Sequence, residues 1–391
     1  MNFFKNLELS FRKLNHRRIH LLRQLRTGLL LFIFNQKNKN RQKISRPNSA
    51  VFLRLDGKLG DTITFSALIH QMIRNCPDIK IHILTRKISL EVYQCLFPEQ
   101  IGSGQIRLHF VEKRLLKIFK TLFELRTFFF DVMVSTSHIL DPQSIILARF
   151  IRAKNKISFL NQNMIFFDQH ISENFFAIHI TDRYKKVIES MKLSWVLPVE
   201  YSFTVPTEQI EKTSTELKKI KKQKNAGLII VLNSFAGARL RNLSYETTLA
   251  IIKSIYGELP NTLVISIANS GDLQILKSWR KLAEQNSELL PFIENWILAE
   301  ETSLLGSSAT IALCDLVITP DTSIVHLASA LKKPLIALFR PDSGDEENSK
   351  IWSPLGDNFK VIFSEKNDLL GVSAIDIGLV AKSAKKFISL T

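Results

Sequence analysis

An α/β fold with two doubly wound parallel sheets facing one cleft is what this 391-residue sequence predicts. Three observations lead there. Short apolar strands alternate with helical segments from residue 50 onward, which is the pattern of βαβ units. The alternation occurs twice, on either side of a mixed stretch holding Pro198 and Pro206. The loops richest in Gly, Asp, Arg and hydroxyl residues follow directly after strands, where open α/β sheets bind ligands. The composition agrees: 45% hydrophobic and 23% charged residues describe a globular chain with a sizeable core, neither disordered nor fibrous.

In chain order, 50–55 is a short apolar run closed by Asp56-Gly57. Residues 61–74 read as a helix, 79–84 as a β-branched strand, and 89–96 as a helix. Then come a strand over 106–111, a helix over 115–126 and a strand over 132–135. The second set begins with a lysine-rich helix over 207–224 and a buried-type strand over 228–232. A helix over 245–256, a strand over 263–267 and a helix from 273 follow. A strand at 316–318, a helix over 323–331 and a strand over 335–339 lead to a closing helix over 374–390. The expected organisation is an N-terminal extension over 1–48, a first domain over 49–203 and a second over 204–391.

The charge is uneven. The chain carries a net +17, and residues 1–48 hold twelve Lys/Arg against one acid, Glu8. Leu14, Leu21, Leu22, Leu25 and Leu29 fall near one helical face, with Arg17, Arg18, Arg23 and Arg26 largely elsewhere. That describes a basic amphipathic helix, suited to an anionic membrane surface, with a solvated helix as the plainer alternative. Residues 35–48 read as a linker. Nucleic acid is excluded as the expected partner, because the excess charge sits in one terminal segment and not in a groove interleaved with aromatics. The three cysteines, Cys76, Cys95 and Cys314, form no CxxC pair, so neither a disulfide framework nor a metal site is expected. The longest apolar run near the N-terminus, 29–34, is too short for a membrane span or a secretory signal, and a cytoplasmic body is expected.

Three loops carry candidate chemistry. Arg54-Leu55-Asp56-Gly57-Lys58-Leu59-Gly60-Asp61 follows the first strand. Gly57 and Gly60 permit a sharp turn and close approach of the backbone to a ligand. Asp61, where a helix should begin, is either an N-cap or a general base projecting into the cleft. The loop is neither GxGxxG nor GxxxxGK[ST], so dinucleotide and P-loop readings are weak. Asp321-Thr322-Ser323-Ile324-Val325-His326 is again strand-to-helix. The amides of Thr322 and Ser323 form an anion site that His326, one turn in, can reach, while Asp321 could accept from sugar hydroxyls. A capped helix with a satisfied histidine is the alternative. The loop 233–244, with Gly237, Arg239 and Arg241, suits phosphate contact or is simply solvated surface.

The order and context of these motifs resemble the ADP-heptose:lipopolysaccharide heptosyltransferase family, glycosyltransferase family 9. The resemblance rests on Leu59-Gly60-Asp61-Thr62 after a strand. It rests also on Asp321-Thr322-Ser323-Ile324-Val325-His326-Leu327-Ala328, followed by Lys333-Pro334 and the strand ending at Phe339. Weaker matches lie at 152–159 and 179–184. It implies two Rossmann-like domains in a glycosyltransferase B-type fold, the first holding a lipid-linked saccharide acceptor and the second a nucleotide sugar. The implied reaction is inverting, requires no metal, and moves a heptose from ADP-heptose to a lipopolysaccharide core at the inner membrane of a Gram-negative bacterium. Asp61 is then the implied base, with Gly57, Lys58 and Gly60 in the acceptor loop. Arg241, Gly237, Asp321, Thr322, Ser323 and His326 are the implied donor-binding residues. The sequence departs from the family pattern at Ser323 for Gly, Leu243-Ser244 for Trp-Pro, Arg340 for Gly, and 135–138 for an acidic-polar loop. These departures leave another nucleotide-activated sugar, or a scaffold without catalysis, as alternatives.

Overall fold

The computed structural model describes residues 18, 25–42, 44, 46–112, 115–137, 141–160, 163–342, 348–367 and 369–389. Twelve strands form two six-stranded sheets among these residues. The first sheet uses β1 (Ser49–Leu53), β2 (Lys80–Thr85), β3 (Ile106–Phe110), β4 (Phe130–Ser135), β5 (Ala153–Phe159) and β6 (Gln169–Ile171). The second uses β7 (Leu228–Asn233), β8 (Thr262–Ile267), β9 (Trp296–Leu298), β10 (Leu316–Pro320), β11 (Leu335–Phe339) and β12 (Phe359–Phe363). Every pairing is parallel. The strand orders are β3-β2-β1-β4-β5-β6 and β9-β8-β7-β10-β11-β12, the same topology twice. Each sheet therefore has a switch point, between β1 and β4 and between β7 and β10, where the connections diverge and a crevice opens at the carboxyl ends.

The helices used below are α1 (Leu59–Asn75), α2 (Leu115–Leu125), α3 (Pro142–Phe150), α4 (Ile180–Ser190), α5 (Thr207–Lys224), α6 (Tyr245–Glu258), α7 (Ser270–Ala283), α8 (Leu304–Leu313), α9 (Ser323–Ala330) and α10 (Ile377–Ile388). Parallel strands covered on both faces should be buried along their length, and β8, β10 and β11 are, with β11 apolar throughout. Helix α1 packs on α4 of its own half and on α9 of the other. One apolar cluster consequently runs from Phe52 and Ile63 through to Val317 and Val325, so the halves share a core. Helix α10 returns to α6 and closes the second half.

The strand–helix alternation stands, with α1 starting at Leu59 rather than at Asp61. The mixed stretch before Pro198 holds α3, β5, β6 and α4. The expected linker over 35–48 is in part strapped to the body. Asn35 donates to the Asn163 carbonyl (2.7 Å), Asn38 to Asp168 (2.7 Å), and the Gln42 amide to the Lys154 carbonyl (2.8 Å). Residues 25–34 are helical, and Leu30 and Leu31 pack on the first sheet's cluster. Leu14, Leu21 and Leu22 of the expected amphipathic face lie outside the described residues. No helix among the described residues is long and apolar enough to cross a membrane.

Candidate active site

All three chemistry-bearing loops meet. The loop after β1 opens at the first sheet's switch point, and the loops after β7 and β10 flank the second. Lys58, Gly60 and Asp61 from the first half line one cleft of about 850 Å³ with Gly237, Arg241, Asp321, Thr322, Ser323 and His326 from the second.

Gly57 has φ +66°, a left-handed turn that only glycine adopts without strain, and a Cβ there would also crowd Ile88. The turn starts α1 at Leu59, with Lys58 as an N-cap that makes no side-chain cap bond. Asp61 is therefore not the N-cap. It sits in the first turn, where the helix dipole favours a carboxylate. Gly60 serves a purpose other than ligand approach. A Cβ on it would lie 3.2 Å from Ser323 Cα and 3.0 Å from His326 Cδ2, so the glycine lets α1 and α9 touch across the two halves.

The contacts of Arg54 are not legible in the sequence. The side chain is buried and reaches three partners: the Thr136 hydroxyl at 3.0 Å, Asp56 at 3.2 Å and Asp61 at 3.5 Å. Burial disfavours its charge, but Asp56, the tyrosines Tyr184 and Tyr93, and Asp61 outweigh that, holding the guanidinium more firmly protonated than usual. Lys58, mostly exposed, stands 3.9 Å from the same Asp61 oxygen. Asp61 is thus a largely buried carboxylate facing two cations.

On the opposite wall, Thr322 is the N-cap of α9 and its hydroxyl accepts from the Ile324 amide at 3.0 Å. The Asp321 amide donates to the Leu338 carbonyl. The amides of Thr322 and Ser323 remain without an acceptor among the described residues, which is the geometry of a helix anion site. Ser323 is an ordinary helical residue without positive φ, so replacing glycine there strains nothing. His326 is buried, and its Nδ1 has no partner among the described residues. Burial, with His179 nearby, lowers its pKa to about 3, so the ring is neutral.

Arg241 closes a short 3-10 turn and donates to Asp321 Oδ2 at 2.9 Å. Burial raises the Asp321 pKa, with Arg241 opposing. Gly237 lines the cleft with open space beside it. Leu243 and Ser244, where Trp-Pro was expected, have plain structural roles: Leu243 is buried in the second half's core, and Ser244 caps α6 by accepting from the Thr247 amide. Thr136, in the departing 135–138 loop, is the partner of Arg54, while His138 lies outside the described residues. Asn269 and Asp272 also line the cleft, and Asn269 caps α7. Phe235 of the 233–244 loop lines the cleft too, as do Ser303 and Trp352, which no sequence motif pointed to. Trp352 lies 6.0 Å from His326 ring to ring, and no local sequence pattern announces it.

Comparisons with known proteins point the same way. Residues 264–373 match the sequence model of glycosyltransferase family 9 (heptosyltransferase). Lipopolysaccharide heptosyltransferase 2 of Salmonella typhimurium is 42% identical over 64 residues, 16% of this chain and only 18% of that relative's length. The Escherichia coli protein named "Putative lipopolysaccharide heptosyltransferase 4" is 22% identical over 354 residues, 85% of this chain and 86% of its own. Among solved structures, a family 9 glycosyl transferase from Veillonella parvula superposes with TM-score 0.71 at 15% identity, covering 90% of this chain and all of that one. The E. coli heptosyltransferase WaaC with ADP-2-deoxy-2-fluoro heptose gives 0.59 at 15% identity, covering 88% and 99%. The fold is theirs, and the second half of the chain carries a match to the glycosyltransferase family 9 model.

Proposed function

We propose that this protein is an inverting glycosyltransferase of lipopolysaccharide biosynthesis, moving a heptose from ADP-heptose to a saccharide acceptor carried on a lipid. One observation carries the reading: Gly60, beside Asp61, touches Ser323, which opens the anion site, so base and leaving-group site come from different halves and meet in one cleft. The donor assignment draws support from the family 9 match and from the neighbour that binds an ADP-heptose analogue.

The steps follow from the side chains. The acceptor hydroxyl gives its proton to Asp61, whose carboxylate Arg54 and Lys58 hold in place. The oxygen attacks the anomeric carbon from the side opposite the leaving diphosphate. As that bond breaks, negative charge grows on the diphosphate. The Thr322 and Ser323 amides, Arg241 and the His326 ring stabilise it. Asp321 accepts from sugar hydroxyls and holds Arg241 beside them. No residue set for a metal enters this scheme. The body works from the cytoplasmic side of the inner membrane, and residues 1–48 draw it to the anionic surface where the acceptor lies.

The test is release of ADP from ADP-heptose with a heptose-deficient lipopolysaccharide acceptor, run beside ADP-glucose and UDP-sugars. Acceptor-dependent release from ADP-heptose alone supports the reading. Release from a different nucleotide sugar overturns the donor, and no release from any of them overturns the activity.

A further inference from the structure

The first half carries an apolar and cationic face away from the cleft, built from two helices whose buried stripes already do the packing. In α2, Ile118, Thr121 and Leu125 face the core. Phe119, Leu122, Phe123 and Arg126, spaced i, i+3, i+4 and i+7, form a second stripe, with Phe119 60% and Phe123 62% exposed. The helix over 25–34 repeats the pattern: Leu30 and Leu31 pack inward, while Leu25, Leu29, Phe32 and Ile33 are exposed, Phe32 at 91%. Phe150 joins the two, because its ring meets Phe34 at 5.2 Å and it shares a shallow hollow with Phe119 and Arg126.

The charges on this face are of one kind. The Arg126 guanidinium lies 3.3 Å from the centre of the Phe123 ring, Arg149 is 5.8 Å from Phe150, and Arg152 is 5.5 Å from Phe129. Among the described residues, these three arginines contact aromatic faces and carbonyl or amide oxygens, not carboxylates. Aromatic rings at the level of cationic heads are what a headgroup boundary accommodates: rings enter the acyl margin and guanidinium groups meet phosphates. A soluble surface gains nothing from two exposed apolar helical stripes.

We propose that this face of the folded body, α2 with the helix over 25–34 and Phe150, docks on an anionic lipid bilayer. The face shares residues 25–34 with the basic extension and adds α2 and Phe150 of the folded body to it. It also orients the site. The other side of α2, through Lys117, Lys120 and Thr121, lines a hollow of about 910 Å³ whose far wall is Asp56 and Gly57, the loop leading to Asp61. A lipid-anchored acceptor rising along α2 arrives at that loop.

The experiment is co-sedimentation of the full chain with vesicles of phosphatidylcholine mixed with phosphatidylglycerol, against phosphatidylcholine alone. Wild-type protein should bind the mixed vesicles, less tightly as salt rises. Phe119→Glu/Phe123→Glu should weaken that binding by about tenfold or more. Arg126→Gln/Arg152→Gln should weaken it several-fold while leaving any binding to the neutral vesicles unchanged. Both variants should keep the wild-type thermal midpoint and ADP affinity. Unchanged vesicle binding by the phenylalanine variant overturns the proposal. So does equal binding of wild type to neutral vesicles, or a lipid-free dimer that this variant dissolves, which would assign the face to a second copy of the chain. The readout requires no turnover, so its failure and that of the transferase reading are separate results.

Discussion

The Arg54 guanidinium stands 3.5 Å from the Asp61 carboxylate and is itself buried, anchored through Thr136 on the neighbouring strand's loop. A buried cation with two carboxylates around it cannot turn away without leaving charges uncompensated. Asp61 is thereby held in one orientation. Arg54→Gln should lower kcat by about ten- to a hundredfold through lost positioning, with a smaller effect on the donor KM. Arg54→Lys should recover part of the rate. A rate loss that Arg54→Lys does not recover, accompanied by a lowered thermal midpoint, would mean that Arg54 is only structural.

Arg241 is bonded to Asp321, yet its side chain remains 41% exposed, so it has room to turn toward a diphosphate in the cleft. Arg241→Ala should cut kcat by roughly a hundredfold, the scale of removing one transition-state donor. Steady-state kinetics with saturating donor checks this. A change confined to KM would assign Arg241 to ground-state binding.

The contact between Gly60 and α9 predicts sensitivity out of proportion to size. A methyl group there meets Ser323 Cα at 3.2 Å, which is backbone and cannot swing aside. Gly60→Ala should push the halves apart and lower kcat/KM by about tenfold or more, with far-ultraviolet circular dichroism unchanged. Ser323→Gly in the same chain should restore part of the loss by removing the Cβ that lies 3.4 Å from the same point. Wild-type activity in Gly60→Ala would show that the contact is dispensable.

Away from the cleft, His82 on β2 and His109 on β3 meet at 2.9 Å in a buried aromatic pocket with Phe128 and Phe130. Burial, then the neighbouring His109 and Arg107, lowers the His82 pKa to about 4. A folded-state value below the unfolded one means that the unfolded chain binds protons first. Stability is therefore complete above about pH 6.5 and is lost as pH falls through about 4, by an amount on the order of 1–3 kcal/mol. Urea midpoints across that window should fall accordingly. His82→Phe/His109→Leu should flatten the dependence, and an undiminished slope in that variant would place the titrating groups elsewhere.

Strands followed by polar loops were readable because a fully buried parallel strand is a short apolar run, as Leu335–Phe339 is, and the loop residues at its end are conspicuous. The segments that escaped had weak periodicity. Strands β6 and β9 are three residues long, and α8 is small and apolar on most faces, so neither period stands out. In the site, Asp61, Asp321 and His326 were visible because each sits at a strand-to-helix junction. Arg54 stands in the same loop as Asp61, but its meaning depends on Thr136, 82 residues away, and no local pattern shows it. Trp352 was missed for the same reason: it enters the cleft from beyond β11.

The central claim is that Asp61 is the base of a two-sided cleft, and Asp61→Asn tests it most directly. The amide keeps the shape and loses the proton acceptor. The account predicts that ADP-heptose binding, measured by calorimetry, stays within about twofold of wild type while acceptor-dependent ADP release falls by about a hundredfold or more. Release at the wild-type rate with binding intact would contradict it and move the base to another residue.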